Sequence, residues 1–316
     1  MSTIPFPHST QTVRPAQFAG SSYPRDAKRL AKLLDESVFT NPQTPHQTLF
    51  SKEIVRQNAE AIIAPHIDFR VGLSAYAPAY YALQNSQADV FVIFATSHYG
   101  WGNLFIPTFQ HFSTPLGTVQ TDHDLLHRLY AALPHLTKDD SAHAEEHSIE
   151  FETVFLQHLF GHRPFTILPI LVTSFYPFIE KGASPAKSAP FRAFCDTLAN
   201  ILRESGKKAA FVASADMAHI GRKFDDPYDA EPMLPAMHDE DMRLLEALER
   251  ADAEEYYRRI AKVQDAYKIC GLPPVYSMLE TVRCSDGIAL AYEQWNEQAT
   301  RSAVTYSSLA YYSAQV

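Results

Sequence analysis

Two kinds of hydrophobic pattern alternate along this chain. Some short stretches are apolar at nearly every position: Ala59 to Ala64, Val90 to Ala95, Phe165 to Val172 and Ala209 to Ala213. Continuous runs of this kind suit strands buried on both faces, as in a parallel sheet. Phe165 to Val172 keeps that reading despite Pro169. Ile288 to Tyr292 and Ala303 to Tyr312 supply two more strands. Between these runs, apolar residues recur at helical spacing. Ala27, Leu30, Leu34 and Val38 predict a helix over 23–38, with Ser22 as N-cap and Pro24 in the first turn. Further helices are predicted over 73–83 (with Pro78 inside), from an Asp122 cap to about 133, and over 142–160, 189–204, 236–249 and 252–262. One more follows Pro273-Pro274. Residues 1–20 read as an extended arm, 39–58 as a loop with some helical character, and 103–121 as a hairpin-like excursion.

Strands alternating with helices define an α/β fold. No linker rich in Gly, Ser or charge divides the chain. The prediction is a single domain over 1–316, with a central mixed sheet flanked by helices.

Composition narrows the function classes. The 316 residues carry a formal net charge of −9, which makes nucleic acid a poor partner. No run approaches the ~20 apolar residues of a membrane span, and Met1 to Pro15 lacks the apolar segment of a secretory signal. Three scattered cysteines, Cys195, Cys270 and Cys284, are not a disulfide framework. A reducing cytoplasm is the expected compartment.

Among the 14 histidines, placement matters more than number. Three apolar runs lead into one: Ala64-Pro65-His66, Thr96-Ser97-His98, and Ser214-Ala215-Asp216-Met217-Ala218-His219. Ligands of open α/β sheets bind outside the carboxyl ends of the strands. A lone histidine there is usually an ordinary loop or core residue. Three arriving from different parts of the chain, with short polar neighbours, point to a metal or general-base site.

A fourth cluster reads His143-Ala144-Glu145-Glu146-His147-Ser148-Ile149-Glu150. On a helix over 142–160, His143 and His147 share a face. This is the H-x-x-E-H spacing of inverted zinc peptidases; a solvated acidic first turn explains it equally. Cys270-Gly271 precedes a Pro-initiated helix, where a helix N-terminus would lower the thiol pKa. The alternative for Cys270 is a small buried hydrophobe.

Taken in order, these residues resemble the MEMO family, also called AmmeMemoRadiSam system protein B. The pieces are Ala19-Gly20-Ser21-Ser22-Tyr23-Pro24, Ala64-Pro65-His66, Ser97-His98, Thr114-Pro115-Leu116-Gly117, Glu146-His147-Ser148-Ile149-Glu150, Ser214-Ala215-Asp216 with His219, and Cys270-Gly271. The resemblance spans nearly the whole chain. It implies a fold related to the LigB-type class III extradiol dioxygenases. Carried over position by position, it makes His66, His98 and Cys270 the metal ligands and His219 the acid/base. His147 and Asp216 then line the pocket. One departure is His66-Ile67-Asp68-Phe69, where the family usually has His-Ala-Gly followed by an aromatic. Ile67 and Asp68 either narrow the pocket or add a carboxylate beside the metal.

The resulting expectation is a metal-dependent oxidoreductase or dioxygenase-like enzyme using Fe(II) or Cu, with Zn as the further option. Its ligand is a small molecule or peptide in the His-lined pocket. The alternatives are a non-catalytic metal- or peptide-binding scaffold and, behind it, a zinc peptidase. Thiolate shifts metal preference toward Cu(I) or Zn, so a cysteine in place of a carboxylate argues against simple extradiol chemistry.

Overall fold

The structure is a computed structural model that describes residues 12–38, 58–284 and 286–312. Residues 1–11 of the predicted 1–20 arm and almost all of the 39–58 loop lie outside these residues.

The elements, in chain order, are β1 (Val13–Arg14), α1 (Ala27–Val38), β2 (Ala61–Ala64), α2 (Phe69–Leu83), β3 (Val90–Thr96), β4 (Phe105–Pro107), β5 (His111–Thr114), β6 (Gly117–Thr121), α3 (His123–Ala132), α4 (Ser141–Ala144), α5 (Ser148–Phe160) and β7 (Thr166–Val172). After them come α6 (Tyr176–Glu180), α7 (Ala189–Ser205), β8 (Ala209–Ser214), β9 (Asp216–Gly221), α8 (Leu234–Glu249), α9 (Ala253–Lys262), α10 (Leu272–Val282), β10 (Gly287–Glu297) and β11 (Ser302–Tyr311). The eleven strands form one mixed sheet in the order β1-β5-β6-β7-β3-β8-β2-β11-β10, with β4 on β7 and β9 on β11. Neighbours from β6 through β7, β3, β8 and β2 are parallel, while β11 runs antiparallel to β2, β9 and β10.

The all-apolar strands are buried on both sides. Successive side chains of a strand face opposite ways. Val90, Val92 and Phe94 accordingly pack into one core with α3, α7, α9 and α10. Phe91, Ile93 and Ala95 pack into the other with α1, α2 and α5. This is the predicted α/β architecture. Among the described residues, no helix is long and apolar enough to cross a membrane.

Three local readings need correction. Helix α1 begins at Ala27, later than the predicted 23, because the cap is Asp26, whose Oδ1 accepts the Arg29 N–H at 2.9 Å. The predicted helix over 142–160 is two helices: α4 stops at Ala144, and Glu145-Glu146-His147 bridge to α5. The strand predicted over Ala209 to Ala213 is followed directly by a second one that was not predicted, because Asp216–Gly221 forms β9 against β11, with His219 opposite Val304.

Candidate metal centre

Parallel register aligns the strand ends. Ala64 of β2 and Ala95 of β3 both lie opposite Ser214 of β8. His66, His98 and Asp216 therefore leave the sheet at one edge. Cys270 reaches the same place from the turn before α10. Ligand atoms of His66, His98 and Cys270 all lie within 4.8 Å of one another, and those of His98, Glu146 and His147 form a second such group. Cys270 Sγ is 3.3 Å from His66 Nε2. The His66 ring centroid is 5.3 Å from that of His98 and 5.3 Å from that of His147. His98 and His147 stack at 4.9 Å. The structure thus brings together four of the six residues singled out for the site, and Asp216 touches them.

Buried carboxylates hold these rings. Oδ1 of Asp216 accepts the backbone N–H of His66 at 3.0 Å and of Ile67 at 3.2 Å, fixing the turn out of β2. Glu146 accepts the His98 N–H at 2.7 Å with Oε2. Its Oε1 pairs with His98 Nδ1 at 2.9 Å and accepts the Ser148 N–H at 3.1 Å. With Nδ1 donating to Glu146, Nε2 of His98 carries the free lone pair. This is the carboxylate–histidine pairing that orients metal-binding imidazoles. The break between α4 and α5 makes it possible, since a continuous helix would engage the Ser148 N–H in its own ladder.

The charges follow from this geometry. Burial opposes a charge on Glu146, but the His98 hydrogen bonds and the nearby imidazoles outweigh it and hold its pKa down to about 2. His98 is raised, because Glu146 overcomes burial. Burial, then neighbouring imidazoles, pushes His66 and His147 down to about 3 each. Burial lifts Asp216 to about 6, against the pull of His219. Burial also pushes the Cys270 thiol well up, with Asp216 adding to it. The expected lowering by the α10 N-terminus is therefore overruled. A neutral thiol beside a neutral imidazole is not a nucleophilic thiolate–imidazolium pair. It is a donor pair that a cation activates, because a coordinated thiol loses its proton.

His219 belongs to neither ligand group, yet its charge bears on His66 and Asp216. Its Nδ1 lies 3.1 Å from the Met217 carbonyl, its backbone N–H donates to Tyr267 O at 2.8 Å, and its ring meets Phe224 edge-on. Burial lowers its pKa, while Asp216 raises it. Asp216 Oδ1 is taken up by the turn at His66.

Other expectations resolve locally. Asp68 is the N-cap of α2, accepting the Arg70 N–H at 2.9 Å and pairing with the Arg70 guanidinium at 2.8 Å. It belongs to neither donor group. Ile67 packs where a Cβ on Gly72 would stand. His143 Nε2 meets the Ile106 carbonyl at 2.8 Å, and burial holds this imidazole at about 4. The H-x-x-E-H spacing therefore forms no peptidase centre. Glu150 ties the N-terminal arm to α5, accepting from Arg14, from Tyr23, and from the Gln17 and Phe18 N–H groups at 3.0 and 2.9 Å. The Phe18 ring then stands edge-on to His147, 5.7 Å away.

A cleft of about 290 Å³ adjoins the donor atoms. His98, Ser97 and Cys270 line one side; Phe175, Tyr176 and Leu272 are among the others. Asp265 and Lys268 bring charge to it. The roles of Glu146, Ser148 and Ser214 in holding the rings were not read from sequence. The available signal was a short polar residue at the end of each all-apolar run.

A family model, Memo-like protein, matches residues 14–310, and the chain belongs to that family. A MEMO1 family protein of Aquifex aeolicus is 25% identical over 303 residues, 95% of this chain and 73% of that one. One of Ignicoccus hospitalis is 29% identical over 83% of this chain and 84% of its own. One of Methanococcoides burtonii is 28% identical over 86% and 88%.

Proposed function

We propose that this protein is a metal-dependent oxidoreductase of the cytoplasm that binds iron or copper, with zinc as the alternative ion. His66, His98 and Cys270 hold the ion, and a small molecule or peptide occupies the adjoining cleft. The observation that carries this reading is the mutual approach of three N, N and S donors within 4.8 Å. Imidazole and thiolate together suit transition metals rather than magnesium or calcium. When bound, such a metal supplies redox and Lewis-acid chemistry at the cleft. The protein's own contribution is orientation and proton handling. Glu146 aims His98, and Asp216 fixes the turn at His66. Asp216, near 6, is the group suited to exchange protons near neutral pH, and His219 holds the position that the family resemblance gives to an acid/base. The implied kinship with extradiol dioxygenases supports oxygen chemistry, although here a thiol replaces a carboxylate.

That thiol favours a second reading, a metal-binding protein without turnover that holds a soft ion such as Cu(I) or Zn. Purification without oxygen, metal analysis and oxygen-uptake assays with phenolic and peptide substrates separate the two. Stoichiometric iron or copper with substrate-dependent oxygen uptake supports the enzyme. Tight metal with no uptake supports the binding protein. No metal above background overturns both.

A further inference from the structure

Three buried hydroxyls join the ligand-bearing elements. Thr96 Oγ1, at the end of β3, donates to the Cys270 carbonyl at 2.8 Å. Ser148 Oγ, opening α5, donates to the Thr96 carbonyl at 2.8 Å. Ser214 Oγ, ending β8, donates to the Ser148 carbonyl at 2.6 Å. Each hydroxyl has one proton to give, and each proton is placed. Ser214 Oγ also lies 3.3 Å from His66 Nδ1. Its proton being placed on Ser148, it meets that nitrogen only as an acceptor. The backbone of Ser214 faces the same ring as a further acceptor. The Glu152 carboxyl, which burial raises to about 8, is a second side-chain hydrogen-bond partner of Ser214, and donation to it likewise leaves Ser214 Oγ an acceptor toward His66.

We infer that Ser214 is a positioning residue for His66: it holds the proton on Nδ1 and leaves the Nε2 lone pair facing Cys270, with Asp216 Oδ2 3.7 Å away. The hydrogen bonds run from His66 through Ser214, Ser148 and Thr96 to Cys270, and the 3.3 Å approach of Sγ to Nε2 closes the circuit. A ligand His ordinarily fixes its tautomer through such an outer partner. Here the partner is a serine rather than a carboxylate, which orients the ring without adding charge. The purpose of this arrangement rests on the proposed metal reading; the tautomer itself does not.

The test uses ¹⁵N-histidine-labelled, metal-free protein and two-bond ¹H–¹⁵N spectra at pH 7.5. His66 is assigned by its loss in His66→Gln. The expected result is the Nδ1–H tautomer; an Nε2–H tautomer overturns the inference, whether or not the protein binds metal. Ser214→Ala is then expected to mix the tautomers and weaken Zn(II), titrated against a chelator, by roughly 10–100-fold. Ser214→Thr, which keeps the hydroxyl, is expected to retain the wild-type tautomer. Unchanged tautomer and unchanged affinity in folded Ser214→Ala overturn the role. If Ser214→Ala does not fold, the wild-type tautomer decides. Absence of Zn(II) binding in the wild type defeats the metal reading alone.

Discussion

Cys270 Sγ and His66 Nε2 face each other across 3.3 Å, and both are uncharged. Burial suppresses the imidazolium, and it suppresses the thiolate too. The metal-free thiol is therefore a poor nucleophile, since the thiolate is the reactive form. Alkylation of Cys270 by iodoacetamide, followed by peptide mass spectrometry, is expected to keep accelerating past pH 9 in metal-free protein. A rate that levels off below pH 7 would mean an ionised thiol and a different chemistry for the cleft.

Glu146 governs His98 through three hydrogen bonds: two from His98 and one from the Ser148 N–H beside it. Glu146→Gln is expected to keep the fold and lower metal affinity by about 10–100-fold, the usual effect of losing an outer carboxylate. His98→Ala removes the donor itself and is expected to abolish tight binding. Metal content measured after dialysis distinguishes them. Full occupancy in His98→Ala would remove it from the ligand set.

Asp241 provides a pH probe away from the cleft. It is buried beside Tyr292, whose hydroxyl donates to Oδ2 at 2.8 Å, and burial raises its pKa to about 7. An unfolded aspartate titrates near ~3.9. The folded state thus binds the proton more tightly, and stability falls as pH rises between those values. Three pKa units correspond to roughly 4 kcal/mol. Asp241→Asn cannot ionise and is expected to lessen the fall in urea stability between pH 4 and 7 by up to that amount. An unchanged slope would place the pH dependence elsewhere.

Gly271 has no room for a side chain. A Cβ there would stand 2.4 Å from the Asp216 carbonyl oxygen and 2.7 Å from Ala215 Cβ. Gly271→Ala is expected to cost about 1–3 kcal/mol by overpacking. It also pushes Cys270 away from β9 and lowers metal affinity. Gly182→Ala is the control. It has a left-handed φ of 60° with open space around it, so it is expected to cost about 1 kcal/mol and leave metal binding alone. Equal metal affinity in both variants would show that the Gly271 approach does not position the thiol.

The legible and illegible parts of this site differ for a physical reason. Val90 to Ala95 and Ala209 to Ala213 announce buried parallel strands in their composition alone, and the histidines beyond such runs fall where the sheet edge puts them. The broken helix at Glu145-Glu146-His147 was not legible, because its cause is tertiary. Glu146 is drawn to His98, a residue 48 positions away, and local helical spacing carries no trace of that. Strand β9 was hidden similarly: the apolar run of β8 ends at Ser214, and only its partner β11, far along the chain, keeps His219 in a ladder. Asp68 beside His66 suggested a ligand, whereas Arg70 two residues later makes it a helix cap.

The two halves of the donor pair lie 204 residues apart in sequence. Contacts of such long range form late in folding, after local elements have collapsed. A nascent chain synthesised only through α9 has His66 and His98 but not Cys270. On the proposed reading, capture of an ion between His66 and Cys270 waits for both ends of this span and so reports a chain synthesised past α9.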